Sequence, residues 1–333
     1  MGLIEYELED VSKLCERTIP GSRLVSCVQS IVRVEISRTA TKTIVVCAQF
    51  PTNYPSSPLL IELKSKTLSD LLLEKLTCVC EQEIKKYLGK PQILPLLKFI
   101  QTFIDENPLS CCYDEISLLK EKVLNLTGDS GDEFRLKQKS SSLTFKATQG
   151  SYFLKLSVLV PEDYPTKAID FQDVDTNFPP MFQRYCVGQA KEIARKCVEP
   201  PLKKKANEQF VPKPSLFHVL SFLGKIVKEV PNEKCQLCKQ PCLPSNPEEA
   251  ETDENSDMHV ERMYCSHLFH QHCLITYMKT PPFQGGKKCP SCGQRVFHDK
   301  WRVTDKTAED RWAHQQARER ELEEVTDFFS DLK

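Results

Sequence analysis

At 333 residues the chain is too long for one ordinary domain, and its 45 Lys and Arg against 46 Asp and Glu leave a formal charge of -1. Hydrophobic residues at 40% and charged residues at 27% exclude a disordered chain, and the balanced charge argues against a general nucleic-acid or membrane-surface binder. No apolar run approaches the ~18 residues of a bilayer span, and the acidic start (Glu5, Glu7, Glu9, Asp10) lacks the pattern of a signal peptide, so the expected location is cytosol or nucleus.

The first predicted element is an acidic helix from Glu5 to Arg17. Strand-like runs follow at Val28 to Ile36, Thr43 to Phe50 and Leu59 to Leu63. In the second run Ile44, Val46 and Ala48 alternate with Val45, Cys47 and Gln49; both sets are largely apolar, as in a strand covered on both sides. Helices are predicted over Leu68 to Leu88 and Ile93 to Glu106, the latter with Leu96, Leu97, Ile100, Phe103 and Ile104 at helical spacing. Gly89 and Pro91 punctuate the gap between them.

The same order then recurs. A helix runs from Tyr113 to Leu126 and ends at Gly128; strands follow at Glu133 to Gln138, Ser142 to Ala147, Tyr152 to Val160 and Ala168 to Gln172. In the third of these Tyr152, Leu154, Leu156 and Val158 share one face, with Lys155 and Ser157 on the other. Helices Phe182 to Val198 and Leu216 to Glu229 close the copy. Between them, Pro200, Pro201 and Lys203 to Lys205 read as a solvated connecting loop.

One echo marks the same place in each copy: Tyr54-Pro55-Ser56-Ser57-Pro58 in the first and Tyr164-Pro165-Thr166 in the second, each after an apolar strand and before another. Proline fixes φ and restricts its predecessor, so Tyr-Pro makes a rigid corner. The first motif resembles the hallmark of RWD domains, relatives of the ubiquitin-conjugating-enzyme fold; the second keeps Tyr164-Pro165 but has Ala168 in place of the later proline. Neither copy has the His-Pro-Asn segment of an active conjugating enzyme. Cys78, Cys186 and Cys197 are therefore expected to be core-facing helix residues rather than thioester carriers. The resemblance implies partner or substrate binding by the pair.

Sixteen cysteines in a reducing compartment do not suggest a disulfide framework. Nine are scattered through the first two-thirds and read mostly as small apolar fillers; seven fall between Cys235 and Cys292 with His267, His270 and His272 among them. The spacing is Cys235-x2-Cys238, then 26 residues, then Cys265-x-His267-x2-His270-x2-Cys273, then 15 residues, then Cys289-x2-Cys292. Six thiols and two imidazoles supply two tetrahedral zinc sites, since close pairs let one tight turn give two ligands to one ion. His272 and Cys242 are spares, and His218, His259, His298 and His314 are isolated. Within this region Pro244 to Asp257 is acidic with one alanine and no larger apolar group, and reads as a disordered loop over 244–257.

The ligand order resembles the RING finger with two central histidines; a PHD finger would need cysteine where His267 stands. Spacing alone does not reveal which ligands share an ion. The resemblance implies a cross-brace, with Cys235, Cys238, His270 and Cys273 on one Zn2+ and Cys265, His267, Cys289 and Cys292 on the other. It further implies a docking groove for a ubiquitin-conjugating enzyme at Leu237, Tyr277 and Pro290; taken singly Leu237 and Tyr277 also read as packing residues and Pro290 as a turn former, but together the three favour the groove. Gly293 stands where many active RINGs have arginine, with Arg295 out of register. The tail places Leu322, Val325, Phe328, Phe329 and Leu332 at helical spacing, an amphipathic helix in search of a surface.

The expected fold class is α+β: two tandem RWD-like domains (antiparallel sheet plus helices) over 1–108 and 109–230, a zinc RING finger over 231–300, and a helical tail over 301–333. This arrangement is similar to that of the Fanconi anaemia ligase family. It implies a RING-type ubiquitin ligase that positions a charged conjugating enzyme without a nucleophile of its own, with ubiquitin and a protein substrate or complex as further partners and neither nucleic acid nor membrane among them. The alternative is a non-catalytic zinc scaffold subunit of a larger complex.

Overall fold

The computed structural model describes residues 2–124, 131–201, 210–283, 286–296, 309–320 and 322. The chain is mixed α+β and divides into two compact units. One comprises Met1–Thr148, Leu154–Thr176 and Arg184–Lys225; the other comprises Gln149–Phe153, Asn177–Gln183 and Ile226–Lys333. Among the described residues no helix is long and apolar enough to cross a membrane.

The first repeat opens with α1 (Leu3–Thr18) and continues through β1 (Ser22–Val28), β2 (Ile31–Thr39), β3 (Lys42–Gln49) and β4 (Leu60–Lys64) to α2 (Asp70–Ile84) and α3 (Ile93–Glu106). The strands form an antiparallel sheet in the order β1-β2-β3-β4. The apolar alternation seen in β2 and β3 places Val32, Val34, Ile36, Ile44, Val46 and Ala48 in one core with Leu96, Leu97 and Ile100 of α3. The expected run from Val28 to Ile36 is in fact the end of β1, a turn and most of β2. β1 escaped notice because it is a sheet edge, with Val25 and Val28 about half exposed and Ser22, Arg23 and Ser26 breaking any apolar pattern.

The helix expected to reach Leu88 stops at Ile84 and gives way to a 3-10 turn over Lys85–Tyr87. On α2 the stripe Leu72, Leu76, Cys80 and Ile84 faces inward at four-residue spacing; Cys78, half a turn from it, is exposed rather than core-facing. Cys186 is buried as expected and Cys197 is half-buried.

A 3-10 turn, Pro108–Cys112, leads into the second repeat: α4 (Tyr113–Lys122), β5 (Glu133–Lys137), β6 (Ser142–Gln149), β7 (Tyr152–Leu159), β8 (Asp170–Thr176), α5 (Pro180–Val198) and α6 (Leu216–Glu229). Its sheet has the order β5-β6-β7-β8, and Tyr152, Leu154, Leu156 and Val158 of β7 are buried while Lys155 is exposed. Arg38 links the repeats, donating to the backbone oxygen of Asp105 at 2.8 Å and lying 3.4 Å from Glu162. Lys203 to Lys205 and Gly128 lie outside the described residues.

Each Tyr-Pro corner serves one buried carboxylate. Glu7 of α1 is 1% exposed. It accepts a hydrogen bond from the Tyr54 hydroxyl, from Gln92 N–H at 2.7 Å and from Ile93 N–H at 2.6 Å, the last two at the start of α3. In the second repeat Glu115 of α4 accepts from the Tyr164 hydroxyl at 2.6 Å and from Phe217 N–H at 2.9 Å. The Tyr164 oxygen itself accepts from Ser215 N–H at 2.7 Å and Leu216 N–H at 3.0 Å, at the start of α6. Burial first, and then the neighbouring carboxylate, raises both tyrosines above their ordinary range, so both keep the proton they donate. Burial also raises Glu115, against the opposing pull of Phe217 N–H and the Tyr164 hydroxyl.

The two phenols are not equivalent. Loss of the Tyr54 hydroxyl leaves Gln92 N–H bonded to Glu7, whereas loss of the Tyr164 hydroxyl orphans Ser215 N–H and leaves Leu216 N–H without that acceptor. Tyr164→Phe is therefore expected to destabilise more than Tyr54→Phe, by on the order of 1–2 kcal/mol in urea unfolding followed by circular dichroism. A second expectation concerns pH. Because Glu115 holds its proton more tightly when folded than when unfolded, its contribution makes stability fall as pH rises from the usual carboxylate range through the raised value. Unfolding titrations of wild type and Glu115→Gln across that range check the sign; a curve unchanged by the substitution contradicts it.

Candidate metal centre

The second unit holds its ligands on two backbone turns of the same design. In the first, Lys239 N–H donates to Cys235 O at 2.7 Å and Cys235 N–H donates to Gln240 O at 2.9 Å. In the second, Gly293 N–H donates to Cys289 O at 2.8 Å and Cys289 N–H to Gln294 O at 2.7 Å. Isolated bridges, Lys234 with Pro241 and Lys288 with Arg295, close the two turns. Both turns require a left-handed residue after the second cysteine: Lys239 has φ 65° and Gly293 φ 70°. Each turn thus brings a Cys-x2-Cys pair together by local geometry alone.

The four central ligands come from a short hairpin and helix. β9 (Val260–Arg262) pairs antiparallel with β10 (Leu268–His270), and α7 (Gln271–Lys279) follows directly. Between the strands Ser266 has φ 74° and donates its N–H to Met263 O at 2.8 Å, a tight bend that carries Cys265 and His267. His270 ends β10 and stands at the N-cap of α7, one helical turn from Cys273.

The ligand atoms assemble as two groups of four: Cys235, Cys238, His270 and Cys273, and Cys265, His267, Cys289 and Cys292. Within each group all four atoms lie within 4.8 Å of one another, so each group can hold a metal ion. The Cys238 Sγ to His270 Nδ1 distance is 3.3 Å and the Cys289 Sγ to His267 Nδ1 distance is 3.7 Å. Those distances bracket the roughly 3.6 Å expected between a thiolate and an imidazole on one tetrahedral zinc. The groups interleave along the chain. Each offers three thiols and one imidazole, a soft donor set suited to Zn2+.

Electrostatics also favour a cation. Burial opposes ionisation of Cys235 and of Cys289, but backbone N–H groups outweigh it (Cys238, His270 and Leu237 for the first, Ser291 and Cys292 for the second) and hold both below the ordinary thiol range. Burial and then the neighbouring thiols push Cys265 and Cys273 the other way. One thiol per group thus ionises more readily than its neighbours, and a divalent charge would favour the thiolate at all of them. His270 Nε2 lies 3.0 Å from Pro241 O; donation there leaves Nδ1 free for the ion and fixes the ring. A tetrahedral ion with four protein ligands has no open position, so an ion bound here would serve to hold the fold.

The other singled-out residues are placed as follows. Leu237 is half-buried between the first pair, Tyr277 is half-buried on α7, and Pro290 is exposed in the second turn. The Tyr277 hydroxyl donates to Lys288 O at 2.6 Å, and Lys287 Nζ lies 4.6 Å from the Tyr277 ring centre, so this tyrosine also ties α7 to the second turn. Cys242 and His272 belong to neither group. Cys242 is buried and its thiol pushed up to about 12, mainly by burial; His272 is exposed. His218 and His314 are exposed, His259 is buried with Nδ1 unpartnered, and His298 lies outside the described residues.

The acidic segment 244–257 is anchored at both ends. Pro244 O accepts from the Tyr152 hydroxyl at 2.9 Å, Ser256 O from Gln271 Nε2 at 3.1 Å and Asp257 O from His272 N–H at 2.9 Å. These are backbone acceptors, which composition does not reveal. Residues 309–320 are helical and set Trp312 6.4 Å from the ring of buried Phe283. Leu322 is exposed, and Val325, Phe328, Phe329 and Leu332 lie outside the described residues.

No curated protein matches the chain significantly. Among protein families, residues 6–104 match the RWD domain, a span that runs from the start of α1 nearly to the end of α3, and the first repeat is an RWD domain.

Proposed function

We propose that the chain is a RING-type ubiquitin ligase in which the RWD domain, with an RWD-like second repeat, binds the substrate or a parent complex, and the metal-binding unit recruits a ubiquitin-conjugating enzyme. The observation that carries this reading is the interleaving of the two ligand groups, the cross-brace arrangement that the RING resemblance implies. The RWD domain supports a protein-binding role, since its fold is related to conjugating enzymes but typically lacks their chemistry. On this reading the ions are Zn2+, Leu237, Tyr277 and Pro290 form the docking surface, and transfer is speeded by positioning alone. The setting is cytosolic or nuclear.

The second reading, a non-catalytic zinc scaffold in a larger complex, is favoured by Gly293. That glycine occupies the left-handed position of its turn, where many active RINGs carry an arginine. The position has room for a side chain, at the strain that any Cβ meets at a left-handed φ: Lys239 adopts φ 65° at the matching place, and a Cβ added at Gly293 meets nothing within 4 Å.

Three measurements follow. Native mass spectrometry is expected to show two zinc ions per chain, with Cys238→Ser and Cys292→Ser each losing a different one. Chelation is expected to unfold the second unit, because structural zinc supplies on the order of 10 kcal/mol per site; a metal-free chain with that unit intact rejects the metal assignment. In discharge assays with a panel of ubiquitin-loaded conjugating enzymes, Leu237→Ala is expected to cut the rate roughly 30-fold, the scale of a ~2 kcal/mol anchor residue. Leu237 is the cleaner probe because Tyr277 also holds the unit together. Gly293→Arg is expected to raise the rate roughly tenfold, about 1.4 kcal/mol of added stabilisation. A wild-type chain that accelerates no enzyme in the panel, with Gly293→Arg equally inert, establishes the scaffold instead.

A further inference from the structure

We propose that Cys111 and Cys112 are a thiol modification site, oxidised by a peroxide to a disulfide between neighbours, with Lys42 as the buried cation that activates it. The proposal is independent of ligase or scaffold activity.

The site lies in the 3-10 turn Pro108–Cys112 that joins the two repeats. The two sulfurs are 3.7 Å apart, with Cys111 half-buried and Cys112 fully buried. Lys42, the first residue of β3, is 0% exposed, and among the described residues its Nζ has no hydrogen-bond partner; Ser110 Oγ is a second buried orphan among them. An ammonium placed without water or partner costs several kcal/mol unless an anion shares its site. The charge of Lys42 acts on both thiols.

The two sulfurs are also polarised against each other. The contact with Cys112, aided by Lys42, holds Cys111 below the ordinary thiol range despite its burial and the opposing charge of Glu115; as a thiol, Cys111 donates to Pro108 O at 3.4 Å. The same contact between the sulfurs, with burial, pushes Cys112 well above that range. Cys111 is thereby the partly accessible sulfur that ionises more readily and Cys112 its buried neighbour that resists ionisation, the arrangement of an attacking and a resolving thiol. Elsewhere burial raises Cys15, Cys27, Cys80 and Cys197, in the last against the charge of Lys213.

The chemistry balances in two steps. The Cys111 thiol gives its proton to solvent and the thiolate attacks one oxygen of hydrogen peroxide; the O–O bond breaks, a sulfenic acid forms, and the departing hydroxide takes a proton from solvent and leaves as water. The Cys112 thiol then gives its proton to solvent, Cys112 sulfur attacks Cys111 sulfur, the S–O bond breaks, and the second hydroxide takes a proton from solvent to leave as water. Two sulfurs are oxidised and peroxide is reduced to two waters. Adjacent Cα atoms stand about 3.8 Å apart, closer than the roughly 4.4–6.8 Å of ordinary disulfides, so this bridge is strained and readily reduced.

The tryptic peptide 99–120 contains Cys111 and Cys112 and no other cysteine, which makes the test site-specific in the full chain. The zinc-loaded protein is treated with limiting hydrogen peroxide, alkylated and digested. In wild type, peptide 99–120 is expected to lose two hydrogen masses, to take up no alkylating reagent, and to recover both thiols with dithiothreitol. In Cys112→Ser the same peptide is expected to stop at a sulfenic acid that dimedone traps. Lys42→Met is expected to slow the oxidation at least tenfold. The proposal is overturned if wild-type peptide 99–120 stays alkylatable while the peptide carrying exposed Cys78 oxidises, if Cys111 pairs with a different cysteine, or if folded Lys42→Met reacts as fast as wild type. Should Lys42→Met fail to fold, the wild-type and Cys112→Ser masses still decide the outcome.

Discussion

A buried carboxylate at the N-terminus of the last helix is the constraint on which each repeat is built. The first N–H groups of a helix have no partner within it, and when that end is buried something other than water must accept them. Glu7 does so for α3, and Glu115 with Tyr164 does so for α6. An anion there also meets the positive end of the helix dipole. The carboxylate comes from the first helix of the repeat and the phenol from the corner after its third strand, so one cluster ties the beginning, middle and end of the repeat together. This explains why the opening helix is part of the fold, and why a tyrosine followed by proline marks the corner: the ring must arrive from a fixed direction.

The sequence exposed half of that cluster. Tyr54-Pro55 and Tyr164-Pro165 are visible because proline restricts backbone angles whatever surrounds it. Glu7 is not, since it stands in an acidic run with Glu5, Glu9 and Asp10 and only the fold shows that it alone turns inward. Periodicity read the interior strands and helices well because their apolar faces are continuous. It missed β1, whose edge position leaves Val25 and Val28 exposed, and it misjudged Cys78, which lies half a turn from the α2 stripe. The failures share a cause: each residue's environment is set by partners distant in sequence.

The second unit solves the same problem by other means. The elements that carry its Cys and His groups are short, two three-residue strands and a nine-residue helix. Cys and His pairs at close spacing carry their geometry locally, so all eight members of the two groups were legible. Their partition into two groups was not legible from spacing, because it depends on how the hairpin and the two turns pack. The left-handed residues show the limit from another side. Gly293 in such a place is no surprise, whereas Lys239 and Ser266 follow from the turn each must complete and not from any preference of lysine or serine.

Sixteen cysteines in one chain therefore do not form one chemical class. A thiol's behaviour follows from the balance between burial, which disfavours the thiolate, and the donors and cations that favour it. In Cys80 and Cys242 burial wins and the sulfur is a small apolar filler. In Cys235 and Cys289 the backbone N–H groups of a tight turn win, and the sulfur is ready for a metal. Cys111 reaches the same side of the balance by a different route, through one neighbouring thiol and one lysine sealed from water. Residue type and spacing identify the second case, because the turn that favours the thiolate also makes the motif. They cannot identify the third, because Lys42 and Cys111 are brought together only when the sheet and the turn between repeats close on each other.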